Sequence, residues 1–314
     1  MRKAELLKPI PLKEGDHIGI VAPSTGHFIP EILNSGIEFF KTMGFKVVLP
    51  DGIFNKRRSG KKDDKERADW INEMFADKKI RAIFCATGGA RSEKIIPFLN
   101  RSTIVDNPKY FFGYSDITSI LLYLTEVCDM LVFHGPMVCN ELNNNTCRYK
   151  KDIIFKLLTG KTPSVFYYKY CRTIKGGTNH GRITGGCLAL IAQSFGTDYE
   201  INTRDSILFL EDIGESFSFI EKLLLKLEKN GKFDSIRGII FGEMFNCGFK
   251  RNIEYNQKYF DKLVKKFFSK YDFPIMTGFS AGHGYGKYTL PLGLRVSFNS
   301  DRKTIRFLEA IWHK

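Results

Sequence analysis

A serine at position 115, in the stretch GYSDITSILLYL, stands where an aromatic-rich apolar run gives way to a helical pattern. Before it, KYFFGYS reads as a buried strand ending in glycine. After it, Ile117, Ile120, Leu121, Leu124 and Val127 recur at helical spacing. Two readings of Ser115 fit this junction. It is the N-cap of the helix, its oxygen accepting an orphan backbone N–H, or it is a nucleophile held at the helix mouth. A serine hydroxyl loses its proton only to a base, and the base needs an acid to orient it.

Six histidines are available: His17, His27, His134, His180, His283 and His313. His17 begins a strand and His313 is next to the last residue, which suits structural or solvated roles. His180 sits in a glycine-broken stretch and reads as a turn residue. His27, in APSTGHF, follows the first strand in a loop that can border a cleft. His134, in FHGPM, ends a strand and is a candidate base. His283 lies in GFSAGHGYGKYTLPLG, with glycines at 278, 282, 284, 286 and 293. Either that stretch is a plain surface loop, or it presents an imidazole where substrate can approach closely. For the acid, ILFLEDIGES runs four apolar residues directly into Glu211 and Asp212. Asp212 and Glu215 suit a loop or helix cap, and Glu211, nearest the buried strand, is the better orienting group. The TGGA turn at 87–90 offers backbone N–H groups to an oxyanion. No GxGxxG follows the first strand and no GxxxxGK[ST] occurs anywhere, so nucleotide binding loses ground.

The elements that must position these groups alternate strand and helix through the first half. HIGIVAP (17–23), FKVVLP, IRAIFCAT (80–87), KYFFGYS and MLVFHGP (130–136) read as strands, with helices near 30–43, 63–76 and after Ser115. Such alternation implies a parallel sheet covered on both faces, with ligands at the carboxyl ends of its strands. The TGG turn, Ser115 and His134 all fall at such ends. The second half opens with aromatic and β-branched stretches broken by glycine. It continues through GGCLALIAQSFG (a helix), SILFLED (a strand), SFSFIEKLLLKLEKNG (a helix), IRGIIFGEM (a strand), a long basic helix and closing strands. The fold class expected is therefore α/β: an N-terminal parallel-sheet domain over 1–150, a linker over 151–165, and a smaller mixed α/β domain over 166–314.

Bulk properties bound the rest. The chain of 314 residues suffices for two cored domains. No signal peptide opens it and no apolar run reaches membrane-spanning length, which points to the cytoplasm and away from a membrane. Its seven cysteines form no CxxC pair, arguing against both a zinc knuckle and a disulfide framework. The net charge of +14 raises the question of nucleic acid. The basic residues, however, are interrupted by acids at 55–67 and otherwise spread along helices, so attraction of an anionic substrate is the milder use of that field.

Eight segments in order, VAPS, TGGARSEKIIPFL, FFGYSDIT, HGPM, GGCLALIAQSFGT, LFLEDIGES, GIIFGEM and GHGYGKYTLPLG, closely resemble the LD-carboxypeptidases. That serine peptidase family includes murein tetrapeptide carboxypeptidase and the microcin C self-immunity peptidases. The resemblance runs from about residue 17 to 295. It implies Ser115 as nucleophile, Glu211 as orienting acid and His283 as base. It also implies that Gly89 and Asp116 supply backbone N–H groups to the oxyanion hole, and that the site lies in the cleft between the domains. The activity implied is release of terminal D-alanine from a murein tetrapeptide in cell-wall recycling, by a cytoplasmic homodimer needing no metal or organic cofactor. Ala90 departs from the pattern, since the family usually carries an aromatic residue there. Two rival functions remain at this level: a microcin-type amidase acting on aminoacyl-nucleotides, and a non-catalytic protein binding anionic glycopeptides.

Overall fold

The protein is described by a computed structural model covering residues 5–55, 60–142, 151–168, 170–249, 253–284 and 288–313. The chain forms two compact units. The first comprises Met1–Thr162, Thr289–Pro291 and Ile311–Lys314; the second comprises Pro163–Tyr288 and Leu292–Ala310.

The first unit contributes β1 (His17–Val21), β2 (Lys46–Val48), β3 (Ile80–Cys85), β4 (Tyr110–Gly113) and β5 (Val132–His134). The second contributes β6 (Val165–Tyr167), β7 (Arg172–Lys175), β8 (Thr178–Cys187), β9 (Ser206–Ile213), β10 (Gly238–Phe245) and β11 (Ile275–Thr277). Then β12 (Leu290–Leu292) returns to the first sheet, and β13 (Arg295–Asn299) and β14 (Thr304–Phe307) complete the second. The helices are α1 (Pro30–Lys41), α2 (Lys61–Ala76), α3 (Arg101–Asp106), α4 (Thr118–Glu126), α5 (Val138–Glu141), α6 (Lys151–Leu158), α7 (Leu188–Gln193), α8 (Phe217–Lys229) and α9 (Ile253–Phe267).

The first sheet has the order β12-β5-β4-β3-β1-β2, and the pairs from β5 to β2 are all parallel. Its central strands read as apolar runs because helices cover both faces, and Tyr110, Phe111 and Phe112 of β4 are wholly buried. On one face the rings of Phe84, Phe112 and Phe133 stack across three neighbouring strands at 4.2 and 4.7 Å. Strand order reverses between β1 and β3, the place where open α/β sheets form a crevice beyond their carboxyl ends.

The second sheet has the order β6-β14-β13-β8-β9-β10-β11-β7. Strands β8 to β11 pair in parallel, and the flanking strands are antiparallel. The fold is thus α/β with a parallel first sheet and a mixed second one, in the smaller unit. Three local expectations are corrected. Gly185, Gly186 and Cys187 finish β8 rather than opening a helix, and α7 starts only at Leu188. His180 lies inside β8, opposite Ser297 of β13, rather than in a turn. The glycine-rich loop after 278 hides a strand, β12, whose three residues are all buried. Gly286 lies outside the described residues.

Candidate active site

Ser115 ends up at a sharp strand–turn–helix junction. β4 stops at Gly113, a single 3₁₀ turn spans Ser115–Ile117, and α4 follows at once. The backbone of Ser115 is left-handed, with φ +64°. A side chain there costs on the order of 1–3 kcal/mol and persists only where its surroundings hold it. This corrects the N-cap reading: Tyr114 precedes the turn in extended conformation, and no side chain caps either the turn or α4. The second glycine of a G-x-S-x-G elbow is missing, yet the strained turn that such elbows produce is present. Ile117 stands in that position and folds back over Gly113, where an added Cβ would meet its Cγ2 at 2.6 Å. Ser115 is also the one partly exposed residue in the buried run from Tyr110 to Leu124.

The loops after β1 and β3 interlock beside this turn. Gly88 lies against Ser115, its hypothetical Cβ 3.2 Å from Ser115 Cβ and Oγ. Gly89 has φ +141°, and a Cβ on it would stand 2.3 Å from the Gly26 nitrogen. Thr25 N donates to the Ala90 carbonyl at 3.0 Å. On the far side Arg91, itself left-handed at φ +74°, pairs with Asp64 of α2 at 2.6 Å. Asp116 is buried, and its Oδ2 accepts from Ser24 Oγ at 2.5 Å and from Ser92 N at 3.0 Å. Burial raises its pKa; the hydrogen bonds from Ser24 and Ser92 oppose that rise.

In the second unit, Glu211 and His283 come together. Glu211 is completely buried near the end of β9, between β8 and β10. Its Oε2 lies 2.8 Å from His283 Nδ1 and also accepts from the His283 main-chain nitrogen at 3.3 Å. With Nδ1 protonated, the ring donates to Glu211 and carries its basic lone pair on Nε2. Gly282 makes this approach possible: φ is +109°, and a Cβ would fall 2.3 Å from Glu211 Oε2. The carboxylate of Glu243, on β10, presses on the backbone of Gly284 from its own side. Glu243 also lines a cavity of about 590 Å³ within this unit, together with Arg172, Phe217, Asn246, Asn256 and Phe260. Arg172 is engaged there by Asp261, at 2.5 and 3.2 Å.

Asp212, next along β9, faces the other way. Its carboxylate accepts from Ala189 N at 3.0 Å, at the start of α7, and from Ile213 N at 2.8 Å. Burial pushes its pKa up to about 6; the backbone hydrogen bonds oppose the shift and the neighbouring Glu211 charge adds to it.

Other histidines sit in different surroundings. His27 and His180 are exposed. His134 is buried at the end of β5, its ring tilted 5.8 Å from that of Tyr114. Sequence reasoning missed Ser24, Ser92 and Glu243. The first two stand in the quoted VAPS and TGGARSEKIIPFL segments, but their partner is a side chain far along the chain.

Comparison with known proteins supplies independent evidence. Residues 18–135 match the LD-carboxypeptidase N-terminal domain, and residues 180–298 match the LD-carboxypeptidase C-terminal domain. The chain is 29% identical to "Probable murein peptide carboxypeptidase" of Bacillus subtilis (strain 168), over 95% of this chain and 93% of that one. It is 28% identical to the microcin C7 self-immunity protein MccF of Escherichia coli, over 98% of both chains. A solved structure of MccF in complex with aspartyl sulfamoyl adenosine superposes with a TM-score of 0.85 at 26% identity, covering 98% of this chain and 100% of that one.

Proposed function

The chain is a serine carboxypeptidase of the LD-carboxypeptidase family, and from that premise we propose that it releases the terminal D-alanine of a murein tetrapeptide. Ser115 is the nucleophile, His283 the general base and Glu211 the acid that orients it. His283 Nε2 takes the Ser115 proton as Oγ attacks the carbonyl carbon of the L,D bond. The N–H groups of Gly89 and Asp116 hold the oxyanion of the tetrahedral intermediate. The same imidazole then protonates the departing D-alanine amine, and a water deprotonated by His283 hydrolyses the acyl-enzyme. This mechanism requires Ser115 and His283, which belong to different units, to act on one substrate.

The observation that carries the reading is the 2.8 Å contact between His283 Nδ1 and the fully buried Glu211. A carboxylate so buried, placed on Nδ1 of an imidazole, fixes tautomer and orientation so that Nε2 serves as base. The similarity to MccF favours a second reading, hydrolysis of an aminoacyl-nucleotide amide. Incubating the protein separately with murein tetrapeptide, its all-L isomer and an aminoacyl-adenylate analogue, with products read by mass spectrometry, distinguishes them. D-Alanine released from the first alone is expected. Cleavage of the nucleotide substrate alone would reject the proposal in favour of the second reading. A place in cell-wall recycling and a cytoplasmic homodimer are part of the proposal, on the family resemblance. Light scattering and cell fractionation test the assembly and its location.

A further inference from the structure

Three loops meet at one oxygen atom. Ser24 follows β1, Ser92 follows β3, and Asp116 follows the nucleophile at the end of β4. Asp116 Oδ2 accepts from Ser24 Oγ at 2.5 Å and from Ser92 N at 3.0 Å. A reciprocal bond closes the knot, since Ser92 Oγ donates to the Asp116 carbonyl at 2.5 Å. Ser24, Ser92 and Asp116 are all buried. Both donors converge on the side chain of the residue that follows Ser115, which is itself held at φ +64°.

A left-handed serine persists only where neighbouring structure over-determines it. Locally the turn has backbone hydrogen bonds but no side-chain cap, and the second glycine of an elbow is replaced by Ile117. The bulk of a carboxylate is not what this position calls for either. Burial disfavours its charge, and Glu93 adds to that cost. The nearby thiol of Cys85 is raised by its own burial and then by the Asp116 charge. An apolar side chain would avoid these penalties but would tie nothing together.

We propose that the Asp116 side chain is a positioning group for catalysis: it ties the loops after β1 and β3 to the nucleophile turn. In doing so it fixes the left-handed Ser115 and the direction of the N–H groups of Gly89 and Asp116. The backbone of Asp116 has a place in the oxyanion hole under the proposed function; the side chain acts through its neighbours and touches no substrate. The inference rests on Ser115 being the nucleophile.

The consequences separate positioning from simple stability. Asp116→Ala loses both acceptances on Oδ2, and the oxyanion N–H groups drift from the position that the transition state needs. Its kcat is expected to fall about 100-fold with KM changed less than about threefold, because the lost interaction belongs to the transition state. Asp116→Asn keeps an oxygen able to accept from both donors and should stay within about tenfold of the parent kcat. Ser24→Ala should lower kcat about tenfold alone and add little to Asp116→Ala, since the two share one interaction. Equal losses in Asp116→Asn and Asp116→Ala, or full additivity with Ser24→Ala, would overturn the proposal. Should Asp116→Ala not fold, the cycle of Ser24→Ala with Asp116→Asn carries the same test. Ser115→Ala distinguishes the two levels: if it remains as active as the parent, the nucleophile assignment fails. Crystal structures of the parent and of Ser24→Ala then judge the knot by itself. An unmoved 88–92 turn and an unchanged Ser115 φ in Ser24→Ala would overturn it whatever the activity.

Discussion

The two halves of the proposed site are held by different physics. Around Ser115 the chain relies on backbone against backbone. Gly26 and Gly89 approach too closely for side chains, and Ser115 itself is strained. Around His283 the chain relies on one buried charge: Glu211 reaches from a central strand to a glycine loop and takes hold of both the ring and the main chain. The nucleophile half is therefore sensitive to added volume, and the base half to removed charge. Strain and steric interlock set geometry without committing a proton, whereas a carboxylate–imidazole pair sets geometry and proton position together.

Removing chemistry should produce the largest effects. Ser115→Ala, His283→Ala and Glu211→Gln should each lower kcat by about 10⁴-fold or more, and double variants should fall scarcely further than the worst single one. Steady-state kinetics on tetrapeptide checks this, and a near-normal His283→Ala beside an inactive His134→Ala would show that the base is His134. The contrast between halves also predicts opposite effects on stability. Ser115→Gly relieves the left-handed strain and should raise stability by about 1 kcal/mol, read as a higher Tm. Glu211→Gln replaces one buried carboxylate oxygen with an NH2 donor, leaving one acceptor fewer beside His283, and should lower Tm.

Adding a methyl group comes next. Gly89→Ala drives a Cβ to 2.3 Å from the Gly26 nitrogen, so backbone must shift and both Tm and kcat should fall. Gly282→Ala drives its Cβ to the same 2.3 Å, but from Glu211 Oε2, the end of a side chain that can rotate. Here kcat should fall about 100-fold or more as the acid is displaced, with a smaller drop in Tm than for Gly89→Ala. The reverse ranking of the two Tm values would break the distinction between interlock and charge.

Much of this was legible in the sequence, and what was not has a common cause. Period and composition exposed the parallel strands of the first unit, put Ser115 at a strand end and put Glu211 at the end of a later strand. They left His134 and His283 both open as base, and only the family resemblance chose between them. The strain at Ser115 was invisible because its usual marker, a second glycine, is replaced by Ile117 packing over Gly113. The knot on Asp116 was invisible because its members lie 24 and 92 residues from their partner in sequence. Strand β12 was masked by the glycines around it, since three apolar residues between turn formers carry no period. Short-range pattern reveals what a segment prefers; it does not reveal which distant segment will complete it.

Asp212 gives an effect of intermediate size that depends on pH. Its folded-state pKa, about 6, lies above the ordinary value of 3.8. A carboxyl group raised in this way favours the folded state when protonated, and that contribution is lost as pH rises from about 4 through 6. Removing the titration with Asp212→Asn should therefore shift the Tm difference in the variant's favour across this window, by up to roughly 3 kcal/mol of stability. Differential scanning calorimetry at pH 4, 5, 6 and 7 reads the slope. A difference that does not vary with pH would show that Asp212 titrates normally.

The smallest effect is expected at Ala90. Its side chain is exposed, and its carbonyl is already engaged by Thr25, so Ala90→Tyr adds a ring of up to about 150 Å² without disturbing the interlock. A contact made equally in ground and transition states lowers KM and leaves kcat nearly unchanged. That outcome is predicted for tetrapeptide. A raised KM in a folded variant would show that substrate already fills the space beside the turn.

The passage of the chain back into the first sheet has a consequence during synthesis. β5 is followed in the sheet by β12, which lies near the far end of the sequence. While the ribosome makes the residues between them, which takes on the order of ten seconds, the nascent first sheet has β5 as a bare edge with unpaired N–H and C=O groups. Such an edge is a template for any other extended chain. The brevity of β5, only three residues, limits how much of that template is offered before its proper partner emerges. A fragment ending before residue 290 would keep the edge permanently open, and should aggregate where the full chain remains in solution.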